Sequence, residues 1–436
     1  MRAFCILVLA VSALAAPLRA GAQAQQPSAV IAEIHQAGST RFADAQVAAA
    51  SGLQPGDAVT RDQLQVAADR LAQLGIFSKV NYRFTTTGDK ANKIVLEFQL
   101  ADAPLVPVTF DNLPWFSDEE LSATIRQQLP FFDGSAPKDG ALLDTISAAI
   151  SQLLEARGIS GRLQHTVLAR PESNDMTVQF HLDGPTPTIA ALDYGDTLAR
   201  TSSNLAERKN DLLNKPFSRF SIELFEFEQI RPLYLSTGNL RVNFAAPVAH
   251  IAGNPSQAPA SNVSVQLPID PGPVFHLSKL SWDGNHALDA TALSALATVQ
   301  PGELADGMKL QDLWQRVEDE YSHNGYIDAH VEPQPQFDDA AATVSYRVAI
   351  TEGPQYHMGA LVLTGLSPAA EGALRAAWQL APGKVFDGAY VNNMFVRLEK
   401  PSSQIFGAIP LHYEKMGHFL RINEPAHTVD VLIDFQ

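Results

Sequence analysis

Cysteine is almost absent: in 436 residues the only one is Cys5, inside an apolar N-terminal stretch. The rest of the chain can have no disulfide and no thiolate-held metal, so its domains must be held by apolar cores. Positive charge is also short. Lys and Arg number 31 against 47 Asp and Glu, a net charge of −16. That balance excludes the basic face a nucleic-acid partner requires, and it excludes electrostatic attraction to anionic lipid. Beyond the N-terminus no apolar run approaches membrane-spanning length. Nor is there a G-x-S-x-G, a phosphate loop, a G-x-G-x-x-G or an H-E-x-x-H. No catalytic residue, cofactor site or metal site is expected, and the chain reads as a non-enzyme.

What is present begins with an export signal. Arg2 precedes the apolar stretch from Ala3 to Ala16, and Ala20-Gly-Ala22 and Ala22-Gln-Ala24 are small-residue cleavage sequences. A signal peptide over 1–22 and a linker over 23–28 follow, and so does a periplasmic, disulfide-free mature chain.

The mature sequence is periodic. A strand of alternating apolar residues appears as Ile94-Val-Leu-Glu-Phe-Gln-Leu100 and Met176-Thr-Val-Gln-Phe-His-Leu182. It returns as Val263-Ser-Val-Gln-Leu-Pro-Ile269, Val344-Ser-Tyr-Arg-Val-Ala-Ile350 and Val429-Asp-Val-Leu-Ile-Asp-Phe435. The starting positions 94, 176, 263, 344 and 429 are nearly evenly spaced, so repeats must be considered before any local reading. Asp183-Gly-Pro185, Pro271-Gly-Pro273 and Glu352-Gly-Pro354 close these strands, with Asp102-Ala-Pro104 a weaker version.

Two further markers divide each repeat. Gln54-Pro-Gly56, Gln300-Pro-Gly302 and Ala381-Pro-Gly383 separate two helical patterns, with Phe131-Phe-Asp-Gly134 and Asn214-Lys-Pro216 in the same place elsewhere. Glycines 75, 158, 238, 325 and 407 stop the second helix. Ahead of two of them, Leu64, Ala68, Leu71, Leu74 and Leu310, Leu313, Val317, Tyr321 form one-sided apolar stripes. Thr60, Ser117, Asp289 and Ser367 are placed to cap helices.

The expected fold class is α+β: five tandem β-α-α-β-β units, each with two helices on one face of a three-stranded sheet. The units span 29–103, 104–184, 185–272, 273–353 and 354–436, with a hairpin-loop insertion at 246–261 in the third. In the fifth, Pro401 interrupts the second helix and residues 413–427 form a long connection.

This order, the Gln-Pro-Gly turn, the sequence Gly325-Tyr-Ile-Asp-Ala-His-Val331 and the D/E-G-P junction resemble the POTRA domain. Five copies resemble the periplasmic arm of BamA-type outer-membrane β-barrel assembly factors. The chain departs from them in having no membrane barrel after Gln436, so no direct membrane span is expected. The resemblance implies a scaffold that binds unfolded outer-membrane proteins or barrel-assembly subunits, located in the periplasm and held at the outer membrane through its partners. Other readings are the soluble half of a split transporter whose barrel is a separate chain, and a structural envelope or division-type scaffold or ligand-binding module.

The chemistry such units offer lies in the backbone. If the third strand is central, the second is an edge with unpaired N–H and C=O groups that can accept an extended segment. The candidate edges are 78–83, 162–168, 241–244, 329–334 and 410–413, with Ser78, Lys79, Val80, Ala329, His330 and Val331 as the foremost positions. Lys79 and Arg83 are read as charges that guard the first edge. The carboxylates of Asp118-Glu-Glu120 and Glu318-Asp-Glu320 are expected on solvated helix faces, and His323 and His330 in exposed positions. Trp115, Trp282, Trp314 and Trp378 are expected in the core.

Overall fold

The computed structural model describes residues 29–87, 92–171, 175–251, 262–399, 405–407, 409 and 415–436. The export signal and Cys5 lie outside the described residues. The chain divides into two compact bodies: the first holds the first two sheets and closes at Gly184, and the second takes Asp111–Trp115 and the chain from Pro185 to Gln436 and holds the other sheets.

Among the described residues six sheets form, and five share one plan. In each, the third strand is central: it runs parallel to the first strand and antiparallel to the second. The central strands are Lys93–Asp102, Met176–Asp183, Asn262–Leu267, Thr343–Thr351 and Thr428–Phe435. They are the five alternating segments of the sequence, because only the central strand needs one fully buried face along its whole length. The sixth sheet is a two-stranded ribbon, Asn243–Phe244 with Ile269–Asp270.

The fourth repeat shows how the core is built. Its second helix, Gly307–His323, starts at Asp306, whose side chain accepts from the N–H groups of Met308 and Lys309. Leu310, Leu313, Val317 and Tyr321 fall on one face and are buried. They meet Val344, Val348 and Ile350 of the central strand. Each such side chain removed from water stabilises by about 1.5–3 kcal/mol. Asn324 and Gly325 end the helix, and Gly325 has a φ of 86°. A Cβ there would lie 2.7 Å from the Tyr356 carbonyl, so both the dihedral and the space require glycine.

The turn between the helices has a definite task. In Gln300-Pro-Gly302, Glu303 N–H donates back to Gln300 at 3.0 Å, closing a turn with a φ of 94° at Gly302. The chain then pairs with the first strand: Gly302 N–H donates to the Leu277 carbonyl and Leu277 N–H to the Glu303 carbonyl. The same exchange joins Gly56 and Asp57 to Ile31, and Gly383 and Lys384 to Met358. In the third repeat Asn214 and Lys215 make it with Ile189. Asn214 has a φ of 60°, a conformation asparagine tolerates better than most residues. The apparent departure of Asn214-Lys-Pro216 thus keeps the glycine's geometry.

Four expectations need correction. The segment 246–261 is not simply a loop: Val248–Ile251 is the second strand of the third sheet, and of 241–244 only Asn243–Phe244 forms a strand, in the ribbon. In the fifth repeat the second strand is Met416–Asn423, inside what reads as a long connection. Residues 410–413 and Pro401 lie outside the described residues. In the fourth repeat the second strand begins at His330 and continues to Asp338, so Ala329 precedes it in a turn. The tryptophans are half-buried, not fully internal; Trp282 and Trp314 meet edge-on at 6.3 Å, and Trp314 lies against Tyr346.

Candidate protein-binding edges

Among the described residues, the second strand of each of the five sheets neighbours only the third. Its outer side therefore carries main-chain donors and acceptors with no ladder partner. Which residues turn those groups outward follows from the alternation of an antiparallel pair, in which residues that bond across the ladder alternate with residues that point away.

The first edge is Phe77–Thr86. Thr87 N–H donates to the Lys93 carbonyl at 3.0 Å. By alternation, Thr85, Arg83 and Asn81 point inward, and Val80, Tyr82, Phe84 and Thr86 point outward. Ser78 sits at a bulge, its hydroxyl 3.2 Å from the carbonyls of Ala101 and Asp102. Lys79 turns its backbone inward and its side chain to solvent. Arg83 is engaged by Glu97 at 2.8 Å, so of the two guarding charges only Lys79 is without an ion-pair partner among the described residues. In the second repeat, Arg162–Ala169 is bounded by Arg170 N–H donating to Asp175, which turns Leu163, His165, Val167 and Ala169 outward.

The fourth edge, His330–Asp338, is different. Val331 N–H donates to Glu318 Oε1 at 3.2 Å, so this outward donor is already capped by the repeat's own helix. The next outward positions are Pro333 and Pro335, which have no N–H; they pair opposite Val348 and Tyr346 without loss to the ladder. Phe337 is the one outward donor left. Glu318 is thus not a solvated helix carboxylate, and it also lies 3.6 Å from His330 Nδ1. His323 contacts Asp387 at 2.7 Å, so the two histidines have separate carboxylate partners. Among the described residues no group of His, Cys, Asp and Glu could hold a metal ion.

The fifth edge is the opposite case. Lys415 and Gln436 exchange N–H donations at 3.0 and 2.8 Å. Gly417, Phe419 and Arg421 therefore point inward, and Met416, His418, Leu420 and Ile422 outward. None is proline, and among the described residues none of the four outward N–H groups has a partner. Phe419, Leu420 and Ile422 are 63%, 41% and 44% exposed. His418 stacks on Phe395, ring centroids 4.0 Å apart. Asp430 on the central strand accepts from Ala360 N–H and from Arg421, which hold its carboxyl below the usual range.

Comparison with known proteins matches this architecture. The POTRA family model, described as "Surface antigen variable number repeat", matches residues 29–101 and 275–353, the first and fourth repeats. Those two repeats are similar to POTRA domains. A curated relative from Treponema pallidum (strain Nichols) that bears the name of an outer membrane protein assembly factor is 19% identical over 224 residues. The match covers 50% of this chain but 26% of the relative, so this chain spans about a quarter of that protein's length. Among solved structures, BamA POTRA3-5 of Haemophilus influenzae is 18% identical, with a TM-score of 0.43, covering 57% of this chain and 96% of that one. The N-terminal domain of Omp85 from Thermosynechococcus elongatus is 14% identical, with a TM-score of 0.18, covering 76% of this chain and all of that one. The fold assignment rests on strand order and the family match. Among the described residues no helix is long and apolar enough to cross a membrane.

Of the six foremost positions read from the sequence, the structure leaves Val80 with an outward backbone free of partners among the described residues. Ser78 and Lys79 turn inward or into a bulge, Ala329 lies in a turn, His330 faces its ladder partner Thr351, and Val331 is capped. The fifth edge was missed because the segment is aromatic and basic as well as apolar, and its turn, Glu424–Ala426, lacks glycine.

Proposed function

We propose that this chain is a non-enzymatic periplasmic scaffold that binds client or partner polypeptides during outer-membrane protein assembly or export. We further propose that its units follow the boundaries 29–103, 104–184, 185–272, 273–353 and 354–436. The observation that carries the reading is the recurrent edge: among the described residues, each of the five sheets leaves its second strand unpaired on one side. Such an edge takes an extended segment through main-chain hydrogen bonds that tolerate many sequences, which suits a binder of unfolded chains. The name of the Treponema relative and the family match support the same setting. Unfolded outer-membrane proteins and barrel-assembly subunits are the proposed partners, or a barrel carried by a separate chain.

The test is a pull-down from periplasmic extract with the immobilised chain, followed by mass spectrometry. Recovery of outer-membrane proteins or assembly components is expected. Recovery of neither would sink the proposal.

A further inference from the structure

We propose that the edges are not equivalent: Met416–Asn423 in the fifth repeat is the strand acceptor, and its occupant is an extended segment with apolar side chains at alternate positions. This rests on the scaffold reading above and assigns its site.

Three independent features of this edge point the same way. The first is its main chain. Met416, His418, Leu420 and Ile422 offer four successive outward positions, each with a donor and an acceptor that have no partner among the described residues. The fourth edge offers the donor of Phe337 alone, since Pro333 and Pro335 have none and Glu318 holds Val331. Prolines and a capping carboxylate at outward positions are how sheets prevent unwanted pairing. The fifth edge has neither device, and its basic residue Arg421 is held by Asp430 at 2.7 Å.

The second feature is the exposed apolar surface on both sides of the strand. Leu420 and Ile422 face the helix side, opposite the buried Val431 and Val429, while Phe419 faces the other side. An added strand would cover all three. Residues of the occupant opposite Leu420 and Ile422 would extend the core side of the sheet, which sets the alternating apolar requirement.

The third feature is the outer face of the sheet. In the fifth repeat Val362, Leu432 and Phe419 form one cross-strand row. The corresponding central positions in the other sheets lie in rows of His35, Glu97 and Arg83; Thr109, Gln179 and Thr166; Ala191, Ser264 and His250; and Ser281, Arg347 and Gln334. Those rows are largely polar. Only the fifth row would continue into an apolar residue on an added strand.

The experiment uses the full mature chain and a fluorescent peptide of alternating valine and threonine flanked by lysines, with a proline-interrupted version as control. Binding is read by anisotropy, and the site by amide hydrogen exchange. Expected are saturable binding of the uninterrupted peptide and slowed exchange at Met416, His418, Leu420 and Ile422. Leu420→Pro, which blocks an outward position as Pro333 does, should weaken binding by about tenfold or more through lost main-chain bonds. Leu420→Lys, which keeps the N–H, should weaken it less. The double variant Pro333→Val with Pro335→Val should create a second protected edge. Slow exchange of these four amides without peptide would overturn the assignment, because the edge would already be covered. Protection confined to the first or second edge would also overturn it while leaving the scaffold reading intact. Binding of neither peptide, with clients still recovered in the pull-down, would overturn it too. Failure of peptide and pull-down together would remove the scaffold reading itself.

Discussion

The fourth and fifth repeats have the same strand order and the same helix-turn-helix layer, yet they treat their free edges in opposite ways. In the fourth, His330–Asp338 puts two prolines and a capped donor on the outside. In the fifth, Met416–Asn423 puts four unbonded residues there and exposes Phe419, Leu420 and Ile422 around them. The difference teaches that a POTRA-type fold does not by itself determine where a partner pairs. The fold guarantees an edge; the side chains on it decide whether the edge is open. An exposed apolar edge is an aggregation hazard that a chain can remove with two prolines, and the fourth repeat contains them.

The largest expected effect comes from moving proline by one position. Phe419→Pro would remove a ladder N–H facing Leu432, and should destabilise the fifth repeat by about 3 kcal/mol or more. Leu420→Pro should cost far less, because its N–H faces away from the sheet. Urea unfolding followed by tryptophan fluorescence checks the pair; Trp378 reports from the same core. Equal destabilisation would show that the inward and outward assignments are wrong.

Next in size is the cap on the fourth edge. Glu318→Ala should destabilise by about 1–3 kcal/mol by leaving the N–H of the buried Val331 unmet. It should also speed exchange of that amide, which hydrogen-exchange measurements would show. Tyr321→Phe should cost about 1 kcal/mol, the hydrogen bond to Glu352 at 2.9 Å. Burial, and then that bond, push the Tyr321 hydroxyl up from its ordinary value, so it remains protonated across physiological pH.

The smallest effect is a pH dependence confined to the fifth edge. Asp430 is held below its ordinary value, first by Ala360 N–H and then by Arg421. Its contribution is therefore present above the ordinary carboxylate value and is lost as pH falls through the lowered one. Asp430→Asn should lower the urea midpoint near about pH 7, and the difference from the parent chain should shrink as the pH falls through the lowered value. A difference that persists in acid would show that Asp430 acts through shape instead of charge.

Much of this could be read before any coordinates. The alternating strands marked the central strand of each sheet because burial on one face imposes a period of two. Thr60, Ser117, Asp289 and Ser367 cap the helices they precede, as short polar side chains do for unpaired N–H groups. The second strands were less legible. They are buried on at most one face and bounded by irregular turns, so their apolar pattern is weak. The fifth ends at a turn without glycine, Glu424–Ala426, and the third is a four-residue strand next to proline.

Composition and periodicity alone determined that the chain is cysteine-poor and acidic, repeats a β-α-α-β-β pattern, and turns at Gln-Pro-Gly and Asn214. These are local properties: dihedral preference, period and charge are carried by neighbouring residues. Which edges stay open was decided only by tertiary structure. Glu318 caps Val331 from thirteen residues away, and the phase of Pro333 and Pro335 has meaning only against Val348 and Tyr346 across the ladder. Leu420 and Ile422 look like core residues in the sequence. They remain exposed because, among the described residues, no further strand of the sheet lies beside them.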